Sequence, residues 1–130
     1  YGKHQSNDFV IPKILSQILE NGEVILNDLR PKRDFLYIKD LVQLIKKIIQ
    51  HKSTSGIFNV GFGKSFSMKE IVDAISISQK KKIILKTKNE IRPNEILDLY
   101  ADISKVSKAF NWKPEFSILN GLNDYLKNGQ

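Results

Sequence analysis

The chain has 130 residues, 41% of them hydrophobic and 27% charged, the balance of one soluble globular domain large enough to bury a core. It has no cysteine, which excludes disulfides, thiol catalysis and thiolate metal sites, and its formal net charge is +7. No apolar run approaches the roughly 20 residues that span a bilayer, and no basic-then-apolar leader opens the chain, so neither membrane insertion nor secretion is expected and a cytoplasmic location is.

The surplus charge raises RNA or an anionic lipid surface as a partner. Of the 21 basic residues 18 are Lys, spread along the chain with one short cluster at Lys80, Lys81 and Lys82; the three Arg are Arg30, Arg33 and Arg92. Nucleic-acid surfaces favour Arg forks and stacked aromatics on one face. The Lys pattern is that of a solvated surface, so no nucleic acid and no membrane is expected as partner. The Arg residues carry more information, because all of them fall in two motif-bearing segments.

Residues 9–20 place Ile14, Leu15, Ile18 and Leu19 on one helical face, with Asp8 as a cap, Pro12 in the opening turns and Asn21-Gly22 as the stop. Residues 23–27 read as a short buried strand. A polar loop leads to a second extended run from Arg33 to Ile38. Asp40 is the expected N-cap of a helix over 41–51, where Leu41, Leu44, Ile45, Ile48 and Ile49 form an apolar face. A turn over 53–56 and a strand from Ile57 to Val60 follow, ending in Gly61.

Ser67 and Glu70 form a capping box, with Phe66 and Ile71 placed as a hydrophobic staple, so a helix runs over about 68–78. Lys82 to Thr87 reads as a strand. A loop containing Arg92-Pro93 precedes an extended run, Leu97 to Asp102. A short helix spans Ser104 to Phe110, Trp112 and Pro114 mark a turn, and 117–127 form the last helix. The order is that of a mixed α/β fold with short strands and no internal repeat. So few strands make a poor central sheet, which points to a subdomain that leans on something larger. An opening on Tyr1 is expected of a piece of a longer protein.

Neither His4 nor His51 has a second ligand at helical spacing, so no metal site is expected. No G-x-S-x-G, Walker loop or G-x-G-x-x-G is present. Gly61-Phe62-Gly63 follows an expected strand but lacks a third glycine, and reads as a tight turn. The loop from Asn27 to Asp34 gathers Arg30, Lys32 and Arg33, and a second loop carries Arg92 with Glu95. A diphosphate needs forked donors from more than one direction. From the residues alone two readings stand: the Arg loops converge on one anion, or each Arg pairs with a surface carboxylate.

Six segments, in order, resemble the C-terminal third of the extended short-chain dehydrogenase/reductase family, the NAD-dependent nucleotide-sugar epimerases and 4,6-dehydratases. Tyr1-Gly2-Lys3-His4-Gln5 resembles YGPxQ. Arg33-Asp34-Phe35-Leu36-Tyr37-Ile38-Lys39-Asp40 resembles RDFIYVDD, and Phe58-Asn59-Val60-Gly61 resembles FNVG. Arg92-Pro93-Asn94-Glu95 resembles RPxE. Ala101-Asp102-Ile103-Ser104-Lys105 and Trp112-Lys113-Pro114 resemble AD-x-SK and LGWxP. Lys3 replaces the usual Pro, and Ala109-Phe110-Asn111 stands where a Leu-Gly pair is usual. Asn27-Asp28-Leu29 replaces a Gly-rich turn, and the P-x-RDF spelling resembles the GDP-mannose branch while leaving the base open.

The resemblance implies residues 1–130 as the substrate-binding C-terminal domain of a Rossmann-type enzyme, with the NAD-binding half upstream. It implies that Arg33 and Arg92 contact the substrate diphosphate and that Glu95 contacts the ribose. Val24, Ile25 and Leu26 would line the base, with Val10 and Ile11 nearby, while Asp34, Tyr37, Asn59 and Trp112 would be structural. The Gly-rich NAD loop and the Tyr-x-x-x-Lys pair are not found in these residues, so no catalytic and no cofactor-binding residue is assigned to them. The whole enzyme, a homodimer holding NAD or NADP, would epimerise, dehydrate or reduce a UDP-, GDP-, CDP- or dTDP-linked sugar for polysaccharide synthesis. The alternatives are a non-catalytic nucleotide-sugar binding module from a truncated gene, and a basic protein binding RNA or anionic lipid.

Overall fold

A computed structural model describes residues 1–51 and 54–128. The elements run α1 (Val10–Asn21), β1 (Glu23–Leu26), β2 (Lys32–Asp34), α2 (Ile38–Gln50), β3 (Ser65–Ser67), α3 (Met68–Gln79), β4 (Ile84–Thr87), β5 (Asp98–Leu99), α4 (Ser104–Phe110) and α5 (Ile118–Asn128). The sequence of helices and strands is the expected one, with a different third strand. Residues 57–60 are not a strand, because no extended neighbour among the described residues offers them a ladder. Ser65–Ser67 instead pairs antiparallel with β2. The turn expected over 53–56 includes Ser53, which lies outside the described residues.

The strands form two small sheets rather than one central sheet. β1 pairs parallel with β4, and β2 lies between antiparallel β3 and parallel β5. α1, α3 and α5 cover the first sheet around Ile14, Ile71, Ile75 and Leu122, all fully buried. A second cluster joins Leu44 of α2 to Val106, Phe110 and Trp112.

α1 buries Ile11, Ile14 and Ile18, spaced i, i+3, i+7, with Pro12 in its first turn. Leu19 is 71% exposed, so the expected face is rotated. Phe9, not Asp8, is the N-cap, since the Asp8 carboxylate accepts from the Ser6 hydroxyl at 2.8 Å. Gly22 closes the helix in the left-handed region (φ 69°), its amide donating to the Ile18 carbonyl.

α2 begins at Ile38, three residues before its expected start, and Tyr37 is its N-cap. Asp40 therefore lies inside the first turn, fully buried, and does not cap its own helix. Its carboxylate accepts from the Glu115 and Phe116 amides at 2.9 and 3.3 Å, fixing the chain before α5. α3 carries the expected capping box: the Ser67 hydroxyl accepts from the Glu70 amide, and Glu70 accepts from the Ser67 amide at 2.8 Å.

Candidate functional site

The segment Arg92-Pro93-Asn94-Glu95 has the residue pattern of a type II turn: Pro presets the second position, and Asn94 supplies a positive φ of 58° at the third. Such a turn brings its ends together, and Arg92 Nη1 lies 4.0 Å from a Glu95 carboxylate oxygen. The chain then runs beside β2, where the Lys32 amide donates to the Leu97 carbonyl at 2.7 Å and Arg33 registers against Leu99. That pairing sets Arg33 next to the same turn. Its Nη1 donates to the Ile96 and Lys32 carbonyls at 2.7 and 2.8 Å, and its Nη2 pairs with the other Glu95 oxygen.

Glu95 thus stands between two guanidinium groups, one from β2 and one from its own turn. Its side chain is 16% exposed, against 31% for Arg33 and 76% for Arg92. Arg30 is held by Asp28 through three bonds of 2.7–3.1 Å. That pairing lowers the Asp28 pKa to about 2 and raises that of Arg30, with a smaller contribution from the Glu95 charge. Each Arg therefore lies near a carboxylate of the chain itself, Arg30 near Asp28, and Arg33 and Arg92 near Glu95.

Beside this turn lies an open cleft of about 220 Å³, whose wall includes Val10, Ile25, Leu26 and Arg92, with Asn27 and Asp28 at the loop. Arg33 lines a different opening, with Asn59 and Tyr100, that shares no lining residue with this cleft. Val24 and Ile11 lie elsewhere: they are 0% and 1% exposed and belong to the core beneath the cleft. Alternation along a strand sends Val24 inward and leaves Ile25, 38% exposed, on the outer side. Asn27 and Asp28 join the cleft wall beyond the expected residues, and the Asp-x-Arg spacing, which lets a carboxylate meet a guanidinium two residues on, is the signal in the sequence for Asp28.

Asp34 holds the loops behind the site. Its carboxylate accepts from the amides of Phe62, Gly63 and Ala101 at 2.6, 2.9 and 3.2 Å. Gly61 is required there, since a Cβ would stand 2.6 Å from that carboxylate and 2.8 Å from the Ala101 methyl. The Gly61–Gly63 turn is therefore an aspartate nest: the amides that a dinucleotide phosphate would need are already committed, and the turn does not fit one. His51 ends α2 with its ring edge-on to Phe110, and no His/Asp/Glu group suited to a metal occurs among the described residues. No described helix is long and apolar enough to cross a membrane.

The family model described as GDP-mannose 4,6 dehydratase matches residues 1–125. The chain is 28% identical over 131 residues to a dTDP-4-dehydro-6-deoxyglucose reductase of Escherichia coli, covering 98% of this chain and 41% of that protein. It is 30% identical over 133 residues to a CDP-abequose synthase of Salmonella muenchen, covering 97% and 44%. The structure of UDP-glucuronic acid 4-epimerase from Bacillus cereus with UDP-glucuronic acid and NAD superposes with a TM-score of 0.82 at 26% identity, over 98% of this chain and 42% of that one. The chain thus spans less than half the length of the relatives it matches. With motif order, fold and sequence in agreement, the chain belongs to the GDP-mannose 4,6 dehydratase family, among the extended short-chain dehydrogenase/reductases that act as NAD-dependent nucleotide-sugar epimerases and dehydratases.

Proposed function

We propose that this chain forms the substrate-holding part of an NAD(P)-dependent enzyme that acts on a nucleotide sugar. The observation that supports this most is the convergence of Arg33 and Arg92 on one anionic group beside the cleft walled by Val10, Ile25 and Leu26. Two guanidinium forks, one from a strand and one from a turn, suit a diphosphate, which presents oxygens in several directions. In this reading the diphosphate lies between Arg33 and Arg92, Glu95 accepts from the ribose hydroxyls, and the base rests against Ile25, Leu26 and Val10. Val24 and Ile11 support that wall from inside. NAD(P), when bound in such an enzyme, would supply hydride exchange, and the part proposed for these residues is to bind and orient the sugar nucleotide.

Calorimetric titration of the full chain with UDP-, GDP-, CDP- and dTDP-linked sugars tests the proposal and ranks the bases. Saturable binding of at least one, weakened by Arg33→Ala, is expected. Failure of all four to bind, with RNA or anionic vesicles binding instead, would replace it with the basic-surface reading.

A further inference from the structure

Resting on that placement of the diphosphate, we propose that Glu95 is an intramolecular stand-in for the substrate anion, which the diphosphate must displace from Arg33 to bind. The geometry that carries this is the division of labour on the Arg33 guanidinium. Nη1 is fixed by two backbone carbonyls, Ile96 at 2.7 Å and Lys32 at 2.8 Å, whereas Nη2 is occupied by the Glu95 carboxylate. Both carbonyls belong to the main chain, Lys32 in β2 and Ile96 just after the turn, and cannot leave without moving the backbone, whereas the Glu95 carboxylate can swing away about its own side-chain bonds. Releasing Glu95 therefore exposes one face of a guanidinium that is already oriented. The second Glu95 oxygen lies 4.0 Å from Arg92, too long for a hydrogen bond, so this 76% exposed cation is already open to an incoming anion.

Charge balance argues the same way. Arg33 is partly withdrawn from water, and a guanidinium held there without an anion is costly. Glu95 supplies that anion in the free protein and keeps the pocket from capturing stray phosphate. A diphosphate, with more charge and more acceptor oxygens, can outcompete it, while a monoanion gains little by the exchange. Glu95 is in this sense a positioning residue that sets a threshold of charge for entry.

The test uses inorganic pyrophosphate, which has no ribose, and UDP, titrated into the full chain and its Glu95→Gln variant. Gln keeps the size and an acceptor oxygen but loses the charge, and the two carbonyls still hold Arg33. Pyrophosphate is expected to bind the variant about tenfold more tightly, the effect of losing roughly 1.4 kcal/mol of competition. Glu23→Gln removes the same formal charge at the Lys86 pair on the start of β1 and is expected to leave pyrophosphate binding unchanged. If Glu95→Gln weakens UDP while pyrophosphate affinity stays the same or falls, Glu95 serves the ribose alone and the displacement idea is overturned. If Glu23→Gln strengthens pyrophosphate binding equally, net charge explains the gain, and the idea is again overturned. If neither ligand binds the wild type or either variant, the diphosphate placement itself is wrong.

Discussion

Arg33 is the residue on which most of the site depends, because β2 and the 92–95 turn both deliver groups to it. Replacing it with Ala removes a charge-assisted pair, and nucleoside diphosphate binding is expected to weaken by about 2–4 kcal/mol. Arg92→Ala should cost less, since a 76% exposed side chain interacts through solvent. Unchanged affinity in Arg33→Ala, measured by calorimetry, would remove this arginine from the site. Gly61→Ala is a stability prediction of the same scale. Its methyl would collide with the Asp34 carboxylate that takes three backbone amides, and a loss of about 1–3 kcal/mol in urea unfolding is expected. The approach of Arg92 to Glu95 is legible because turn chemistry acts locally, with Pro-Asn between them, whereas the Arg33–Glu95 pair spans 62 residues and no local pattern shows it. Val24 and Ile11 were not separable from their neighbours, because an unbroken apolar run such as Val24-Ile25-Leu26 does not say which residue faces inward.

At the scale of elements, α3 is the most self-specified. Ser67→Ala deletes the acceptor for the Glu70 amide and should destabilise the protein by about 1 kcal/mol in chemical denaturation. The reciprocal half of the box is pH-dependent. Bonds from the Ser67 amide and hydroxyl hold the Glu70 pKa below its usual 4.5. A depressed carboxylate pKa means that the folded state favours the charged form, so this contribution is complete above about pH 4.5 and is lost as pH falls through the lower folded value. Glu70→Gln should flatten that part of the acid limb in a pH series of denaturation midpoints, and an identical acid limb in the variant would count against it. The box was readable because both partners lie within one turn. The strand expected over 57–60 was a different case: a ladder needs a partner distant in sequence, and that partner is not among the described residues, whereas Ser65–Ser67 has no β-rich composition and becomes β3 only because β2 lies beside it. Asp40 departs from the expected N-cap for the same reason, its oxygens being satisfied by amides 75 and 76 residues away.

On the scale of the whole molecule, the amphipathic pattern of α2 outruns what this chain can bury. Leu44 is enclosed, but Ile45 and Ile48 are 46% and 40% exposed and Ile49 is 71% exposed. Ile38 and Val42 continue the apolar surface at 40% and 42%, and Ile57 stands at 89%. A row of branched apolar side chains on a helix that is also strongly polar on its other face implies a packing partner. The relatives that match are more than twice as long, and we propose that the rest of such a fold covers this ridge. Without it, the 130-residue chain is expected to self-associate through this ridge and the unpaired 57–60 segment. Light scattering at rising concentration should therefore show mass above the monomer. Ile45→Lys combined with Ile49→Lys, both at exposed positions that leave the Leu44 cluster intact, should return it to monomer without loss of helical signal. A wild-type chain that remains monomeric at high concentration would mean that the ridge tolerates water on its own, and the apolar periodicity of α2 would then need a different cause from a missing partner.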